Sequence, residues 1–167
     1  MTHDDAIRLF AKTLRNLEAW MEKATAYAAA KSFDVDILAQ ARLAPDQHSF
    51  AGQVQLLCDQ AKFAAAYLGD KQAPAHADTE KTFAELRERI QKCLSFVDSV
   101  TAADLAGAEE RKVAPAWLAG KWLRGDDYLI HVALPNFFFH ATTAYAILRH
   151  NGVELGKMDY VGSLPLA

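Results

Sequence analysis

The chain has 167 residues, of which 51% are hydrophobic and 23% are charged, and its formal net charge at pH 7 is −3. A chain of this length can bury one hydrophobic core without disulfides or metals, and its composition is that of an ordinary globular protein. The slightly acidic charge balance lacks the basic surface that binding to nucleic-acid phosphates requires. We therefore expect a single domain over residues 1–167 and no nucleic-acid partner.

The cysteines and the N-terminal residues bear on the cellular compartment. Cys58 and Cys93 each lie in a helix-like apolar pattern, and they form neither a CxxC pair nor a metal-ligand spacing. We predict that both are buried free thiols. The first ten residues, MTHDDAIRLF, lack the basic flank, apolar run and cleavage site of a signal peptide, so the expected compartment is the cytoplasm.

The first two predicted elements are amphipathic helices. Apolar residues recur every three or four positions over residues 7–28, which is typical of one face of a long helix. The members of this stripe are Ile7, Phe10, Leu14, Leu17, Met21, Ala24 and Ala28. Residues 32–45 break the pattern, and Pro45–Asp46 predicts the N-cap of a second helix that ends near Leu68. The apolar stripe of that helix consists of Phe50, Val54, Leu57, Ala61, Ala64 and Ala65.

A loop, a third helix, a small insert and a fourth helix follow. The segment GDKQAPAHAD at 69–78 predicts the loop, and the next helix carries an apolar stripe of its own. That stripe consists of Phe83, Leu86, Ile90, Cys93, Leu94 and Val97. Residues 113–125, VAPAWLAGKWLRG, predict a short β-hairpin. The fourth helix is predicted from about Asp126 to His150, capped by Asn151–Gly152, and the tail of about fifteen residues shows neither helix nor strand periodicity.

The fourth helix is hydrophobic on nearly all sides, so it could either span a membrane or lie inside a helical bundle. A membrane span is disfavoured, because Pro135, Asn136 and two histidines would each be costly in lipid. Such a helix is better explained as one buried by neighbouring helices, either those of its own bundle or those of a second subunit. The sequence therefore predicts an all-α, four-helix, antiparallel bundle with a short β-hairpin or loop insert before the last helix.

Polar residues on the fourth helix share one face. At about 100° per residue, Asn136, His140 and Thr143 lie on one stripe, with Arg149 roughly opposite. Since Arg149 should stay in water, we expect the stripe to face the interior, either as a satisfied polar network or as the wall of a pocket. His131 would face another side of a straight helix, unless Pro135 kinks it, and it could pair with Asp127 one turn back.

Other polar and aromatic residues have simpler interpretations. Gln53 lies at the border of the apolar stripe of the second helix, whereas the polar face of that helix is expected to be solvated. The residues of this polar face are His48, Gln55 and Asp59. A metal site at His48 and Asp59 is disfavoured because no third ligand accompanies them. Trp117 and Trp122 of the insert are expected to be packing or interface residues.

Three blocks of the chain resemble a known family. They are ARLAPDQ at 41–47, QVQLLCDQAK at 53–62 and ALPNFFFHATTAYAILRHNGVELGKMDYVG at 133–162. These blocks are similar to a bacterial domain of unknown function, family 1993, which is grouped with the DinB/YfiT-like four-helix-bundle superfamily. The resemblance implies a single DinB-like helical-bundle domain in an up-down-down-up-like arrangement, commonly a homodimer, and it names no reaction.

The resemblance also implies where a metal would bind. DinB-like proteins often hold nickel or zinc with three histidines, one on the second helix and an HxxxH pair on the fourth. Here His140 is the only histidine that matches this pattern, because Asn136 takes the place of the first histidine of the pair. Gln53, or Gln55 in another register, takes the place of the histidine on the second helix. Because amide oxygens are weak ligands for zinc or nickel, a tightly bound divalent metal is doubtful.

Three functional hypotheses remain open at this point. The favoured one is a small-molecule-binding protein or an enzyme without a tight metal, whose candidate pocket is lined by Gln53, Asn136, His140 and Thr143. The second is a metal-dependent, thiol-transferase-like enzyme that uses His140. The third is a non-catalytic homodimer with a structural or interaction role. No residue of the chain is assigned a catalytic role, and the reaction and cofactor are not specified.

Overall fold

The computed structural model describes residues 1–166, and the chain forms a bundle of four long helices. These are α1 (His3–Ala30), α3 (Phe50–Leu68), α4 (Phe83–Asp98) and a composite last helix. The last helix consists of α5 (Gly125–Tyr128), a π-helical turn (Leu129–Ala133) and α6 (Leu134–His150). Two short helices, α2 (Asp36–Ala39) and α7 (Lys157–Val161), lie outside the bundle. The prediction of an all-α, four-helix bundle is confirmed.

The bundle closes because each of the first three long helices buries the apolar stripe predicted for it. Every member of these stripes is less than 9% exposed, and all of them except Ala28 belong to one continuous core. Helix α3 packs against both α4 and α6, and α1 completes the bundle against the same helices. Cys58 and Cys93 are buried free thiols, as predicted, and the Cys93 Sγ donates to the Cys58 carbonyl at 3.2 Å.

Helix α3 begins later than predicted. Its N-cap is Ser49, whose Oγ accepts a hydrogen bond from the Gly52 N–H at 3.4 Å. Pro45 and Asp46 lie instead in a turn that precedes the helix. Asp46 and Ser49 are both residue types suited to an N-cap, but the chain is non-helical from the turn at 45–46 up to Ser49, whose side chain caps the helix. The prediction of an N-cap at Pro45–Asp46 is therefore wrong, whereas the buried stripe from Phe50 onward is confirmed.

The predicted hairpin is present and is very short. Strands β1 (Lys112–Val113) and β2 (Leu123–Arg124) pair antiparallel, with Val113 opposite Leu123. Between them the chain makes a single 3₁₀ turn at Ala116–Leu118 and reverses through the left-handed region at Ala119 and Gly120, with φ values of 50° and 86°. The insert thus places Trp117 beside the first turns of α6.

A π-helical turn precedes Pro135, where the sequence left open whether the last helix would kink. Proline has no N–H to donate, and its ring would clash with the carbonyl four residues earlier, that of His131. The wider π turn at Leu129–Ala133 lies where this conflict arises. It also changes the phase of the helix, so that residues five apart across it come onto the same side.

The C-terminal tail contains a helix that the sequence analysis missed. Helix α7 packs on α1, where Trp20 Nε1 donates to the Asp159 carbonyl at 2.9 Å and the Trp20 ring stacks on Tyr160 at 5.5 Å. Asn16 Nδ2 donates to the Tyr160 carbonyl at 3.0 Å. A five-residue helix is too short to show a periodic pattern, which explains the omission. The last position of the predicted tail, residue 167, lies outside the described residues.

Within residues 1–166, no helix combines the length and the apolar character that crossing a bilayer requires.

Candidate functional site

The candidate site centres on a pair of buried polar side chains where α3 and α6 meet. Gln53 lies in the first turn of α3 and is 2% exposed, and His140 lies in the middle of α6 and is 8% exposed. The His140 Nδ1 and the Gln53 Oε1 are 2.8 Å apart. Two of the four predicted site residues are therefore in direct contact, although they lie 87 positions apart in the sequence.

The hydrogen bonds of Gln53 determine the tautomer of His140. Gln53 Nε2 donates to the His48 carbonyl at 3.4 Å, which leaves Oε1 facing the imidazole. Because Oε1 can only accept, Nδ1 must carry the proton of this hydrogen bond. In the neutral ring Nε2 then has a free lone pair. Among residues 1–166 it has no hydrogen-bond partner, and it is not sealed from solvent.

The environment of His140 favours this neutral ring. Burial lowers the pKa of His140 below its ordinary value, and the nearby charge of His48 lowers it further. At neutral pH the side chain is therefore a hydrogen-bond acceptor and a base rather than a cation.

Thr143 is buried as predicted, but its hydroxyl is already bonded within α6. Its Oγ1 donates to the Phe139 carbonyl at 2.7 Å, and its side chain is 7% exposed. This back-bond to the preceding turn is common for threonine in helices. Thr143 therefore forms part of the wall behind His140, and the Gln53–His140 hydrogen bond does not involve it.

Asn136 departs from the expectation that it faces the interior. Its side chain is exposed, and so is Arg149 on the other side of the helix. By helical phase Asn136 lies at the edge of the buried face. The burial of a side chain at this edge depends on whether a neighbouring element covers it. Among the described residues, no element covers that edge, and a shallow depression lies between the insert and α6 there. The inward orientation predicted for Asn136 is thus wrong, whereas that predicted for His140 is confirmed.

The depression beside Asn136 has a volume of about 410 Å³. It is lined by Trp117, His131, Val132, Pro135, Asn136 and Phe139. The π turn explains why His131 and Asn136, five residues apart, share one wall. Among the ion pairs of residues 1–166, none joins His131 to Asp127, the partner expected for it.

Of the three residues expected to be solvated on the polar face of the second helix, His48 is exposed, but Gln55 and Asp59 are partly buried. The Asp59 carboxylate lies 2.7 Å from both Lys62 Nζ and Arg89 Nη2, and Gln55 Nε2 donates to Glu80 Oε2 at 3.0 Å. The side chains of Lys62 and Arg89 are 3% and 0% exposed. The sequence analysis missed this buried charge cluster. One signal could have found it, because Arg89 stands on the apolar stripe of α4, three residues after Leu86.

The residues at the site do not fit a tightly bound zinc or nickel ion. The Gln53 oxygen is engaged by the His140 ring, and Asn136 is exposed rather than directed toward His140. Within the described part of the chain, no three His, Cys, Asp or Glu side chains come together in a way that could hold a metal ion. The three-histidine arrangement implied by the resemblance is therefore not reproduced by this donor set.

The chain was also compared with known proteins. Residues 2–161 match the family described as Domain of unknown function (DUF1993). The crystal structure of a DinB family member protein from Shewanella denitrificans superposes with a TM-score of 0.94. It shares 44% sequence identity over 99% of this chain and 94% of that chain. None of the curated proteins matches the chain. The chain therefore belongs to the DUF1993 family and is a DinB-like helical-bundle protein.

Proposed function

We propose that this protein binds a small polar molecule through His140, with Gln53 holding the imidazole in place. The hydrogen bond between His140 Nδ1 and Gln53 Oε1 supports the proposal most directly. It orients a buried imidazole and leaves Nε2, which has a free lone pair, without a partner among residues 1–166. Because Nε2 is not sealed from solvent, a ligand can reach it, while the hydrogen bond at Nδ1 keeps the ring in one orientation.

The surroundings of His140 define what such a ligand would meet. Nε2 can accept a hydrogen bond, or take a proton as a general base, because the ring is neutral at pH 7. The Phe139 ring packs edge-on against the imidazole with ring centroids 5.3 Å apart, and its outer part is exposed. Asn136, one turn earlier, adds an exposed amide at the rim. A small molecule with a hydrogen-bond donor and an apolar portion matches these groups.

The role of Gln53 is tested by nuclear magnetic resonance of the imidazole nitrogens. We expect the wild-type spectrum to show His140 protonated at Nδ1 at pH 7.5. Gln53→Leu should remove the acceptor, and the ring should then adopt the other tautomer or a mixture of the two. Gln55→Leu is the matched control, since Gln55 bonds to Glu80 rather than to His140. A wild-type ring protonated only at Nε2 would contradict the proposed arrangement.

The same labelled protein tests ligand binding. A panel of small polar fragments should contain compounds that shift the His140 Nε2 resonance, and His140→Ala should abolish their binding. His150→Ala, which changes an exposed histidine at the end of α6, should leave binding unchanged. If every fragment that binds the wild type binds His140→Ala equally well, the proposed site is wrong.

A homodimer is the second candidate, in which the chain has a structural or interaction role. It is favoured by four large apolar side chains that are more than half exposed within or shortly after the insert. They are Trp117, Trp122, Ile130 and Phe139. Large exposed apolar groups often mark interfaces. Light scattering during size-exclusion chromatography separates the two candidates, because a dimer through this surface should dissociate in Trp122→Glu while His140 still binds fragments.

A further inference from the structure

The connection between α3 and α4 contains a segment held by charged side chains. The segment runs from Pro74 to Glu80 and is called the strap below. In the described chain it forms no helix or strand, and its backbone makes no backbone–backbone hydrogen bonds. It is attached to α3 and α4 through His76, Asp78 and Glu80.

Two of these attachments converge on Arg89 in α4. Arg89 Nη1 donates to Asp78 Oδ1 at 2.8 Å and to Glu80 Oε1 at 3.1 Å. Gln55 on α3 also donates to the Glu80 carboxylate. The two bonds from Arg89 hold the C-terminal half of the strap by charge-assisted hydrogen bonds to a fully buried guanidinium, and the bond from Gln55 adds to them. That half therefore serves as a fixed anchor.

The third attachment depends on the protonation of His76. Lys62 Nζ lies 3.1 Å from His76 Nδ1, and an ammonium group can only donate. His76 Nδ1 must therefore accept, which requires a ring without a proton on that nitrogen. A protonated ring would turn an N–H toward the ammonium of Lys62, and this hydrogen bond would be lost.

We propose that the strap is a pH-sensitive cover over Lys62, closed while His76 is neutral and opened at its N-terminal half when His76 takes up a proton. Asp78 and Glu80 stay bound to Arg89 in both states, so the movement is confined to residues 74–77. The cover controls the access of solvent and solutes to an ammonium group that is 3% exposed when the strap is closed. This inference does not depend on the function proposed for His140.

The charges around His76 determine the direction of the switch. Asp59 and Lys62 face it from α3, Arg89 from α4 and Glu80 from the strap itself. Lys92 of α4 also lines the depression beside His76. Burial lowers the pKa of His76 below its ordinary value, and the charges of Arg89 and Lys62 lower it further, against the opposing effect of the two carboxylates. The closed strap thus binds a proton more weakly than the opened strap.

The pH window follows from this difference. In the opened strap His76 should titrate near its ordinary pKa of about 6.5, whereas in the closed strap it titrates at a lower pH. Opening is therefore favoured as the pH falls below about 6.5, by at most about tenfold in the equilibrium constant per pH unit, until the pKa of the closed form is passed. The pKa of Glu80 is lowered despite its burial, by its own backbone N–H, Gln55 and Arg89, so the Glu80 carboxylate stays ionised in this window.

Backbone ¹⁵N relaxation tests the proposal on the intact protein. Residues 74–77 should be ordered at pH 7.5 and mobile on the nanosecond timescale at pH 5.5, whereas residues 78–80 should stay ordered at both. In His76→Asn the amide oxygen takes the position of Nδ1, accepts from Lys62 and does not titrate. This variant should stay ordered at both pH values. His76→Ala lacks the acceptor and should be mobile at both.

The control is His48→Asn, which removes an exposed imidazole outside the strap and should behave like the wild type. The proposal is overturned if residues 74–77 of the wild type are equally ordered at both pH values. It is also overturned if His76→Asn becomes mobile at pH 5.5 to the same extent as the wild type, because another group would then be responsible.

Discussion

Arg89 illustrates how much depends on a single buried charge. Its side chain is fully buried on the apolar stripe of α4, and it bonds to Asp59, Asp78 and Glu80 at once. A buried ion pair contributes little net stability compared with an apolar replacement of the whole set. Removal of Arg89 alone is different, because Asp78 and Glu80 lose their common cation and Asp59 keeps only Lys62. The residue is therefore a structural requirement of this fold once the three carboxylates are present.

We predict that Arg89→Met lowers the free energy of unfolding by about 3–5 kcal/mol, since it leaves three carboxylates without their common partner. Arg87→Met is the matched control on the same helix. Arg87 is partly exposed and lies 3.6 Å from Glu22, so its loss should cost less than about 1 kcal/mol. Urea unfolding at pH 7 measures both. Equal effects of the two substitutions would show that the buried cluster is not important for stability.

At the scale of the element, α7 is the clearest case of a helix that exists because of its contacts. A five-residue helix is not stable alone in water. Here Trp20 of α1 supplies both a stacking surface for Tyr160 and a donor for the Asp159 carbonyl, and Lys23 pairs with the Asp159 carboxylate at 2.6 Å. The contacts with α1 therefore provide the stability that the helix propensity of these five residues does not provide.

We predict that Trp20→Phe weakens this docking by about 1–2 kcal/mol, because the donor is lost and the stacking surface shrinks. The amides of Tyr160 and Gly162, which are bonded within α7, should then exchange with solvent about 5–30 times faster. Hydrogen–deuterium exchange measures this change. Trp122→Phe, at an exposed tryptophan of the insert, should leave the exchange of α7 as it is. Unchanged protection in Trp20→Phe would argue against a dominant role for Trp20.

At the scale of the whole molecule, the buried residues of all four long helices form one continuous core. Packing of this kind makes a single domain unfold as one unit. The small outer elements, namely the hairpin, α7 and the strap, each attach to this core through a few side-chain contacts. Local opening is therefore expected in these elements before the bundle itself unfolds.

We predict that Leu57→Ala, which removes a fully buried side chain between α3 and its neighbours, lowers the free energy of unfolding by about 2–5 kcal/mol. Leu43→Ala, at a side chain that is 44% exposed, should change it by less than about 0.5 kcal/mol. Circular dichroism and tryptophan fluorescence should report the same transition in both variants. Transitions that separate between the two probes would mean that the core is not one cooperative unit.

By itself, the sequence determined the four long helices, the buried faces of the first three and the insert, because apolar periodicity is a local property that any bundle must satisfy. The inward direction of His140 followed from the same periodicity. Tertiary structure decided the rest. The Gln53–His140 hydrogen bond requires α3 to cross α6 at one particular register. The exposure of Asn136 depends on the position of the insert, which helical phase does not specify. The partners of Arg89 come from segments that are in contact only when α3, α4 and the strap pack together. Local sequence patterns do not predict such long-range contacts.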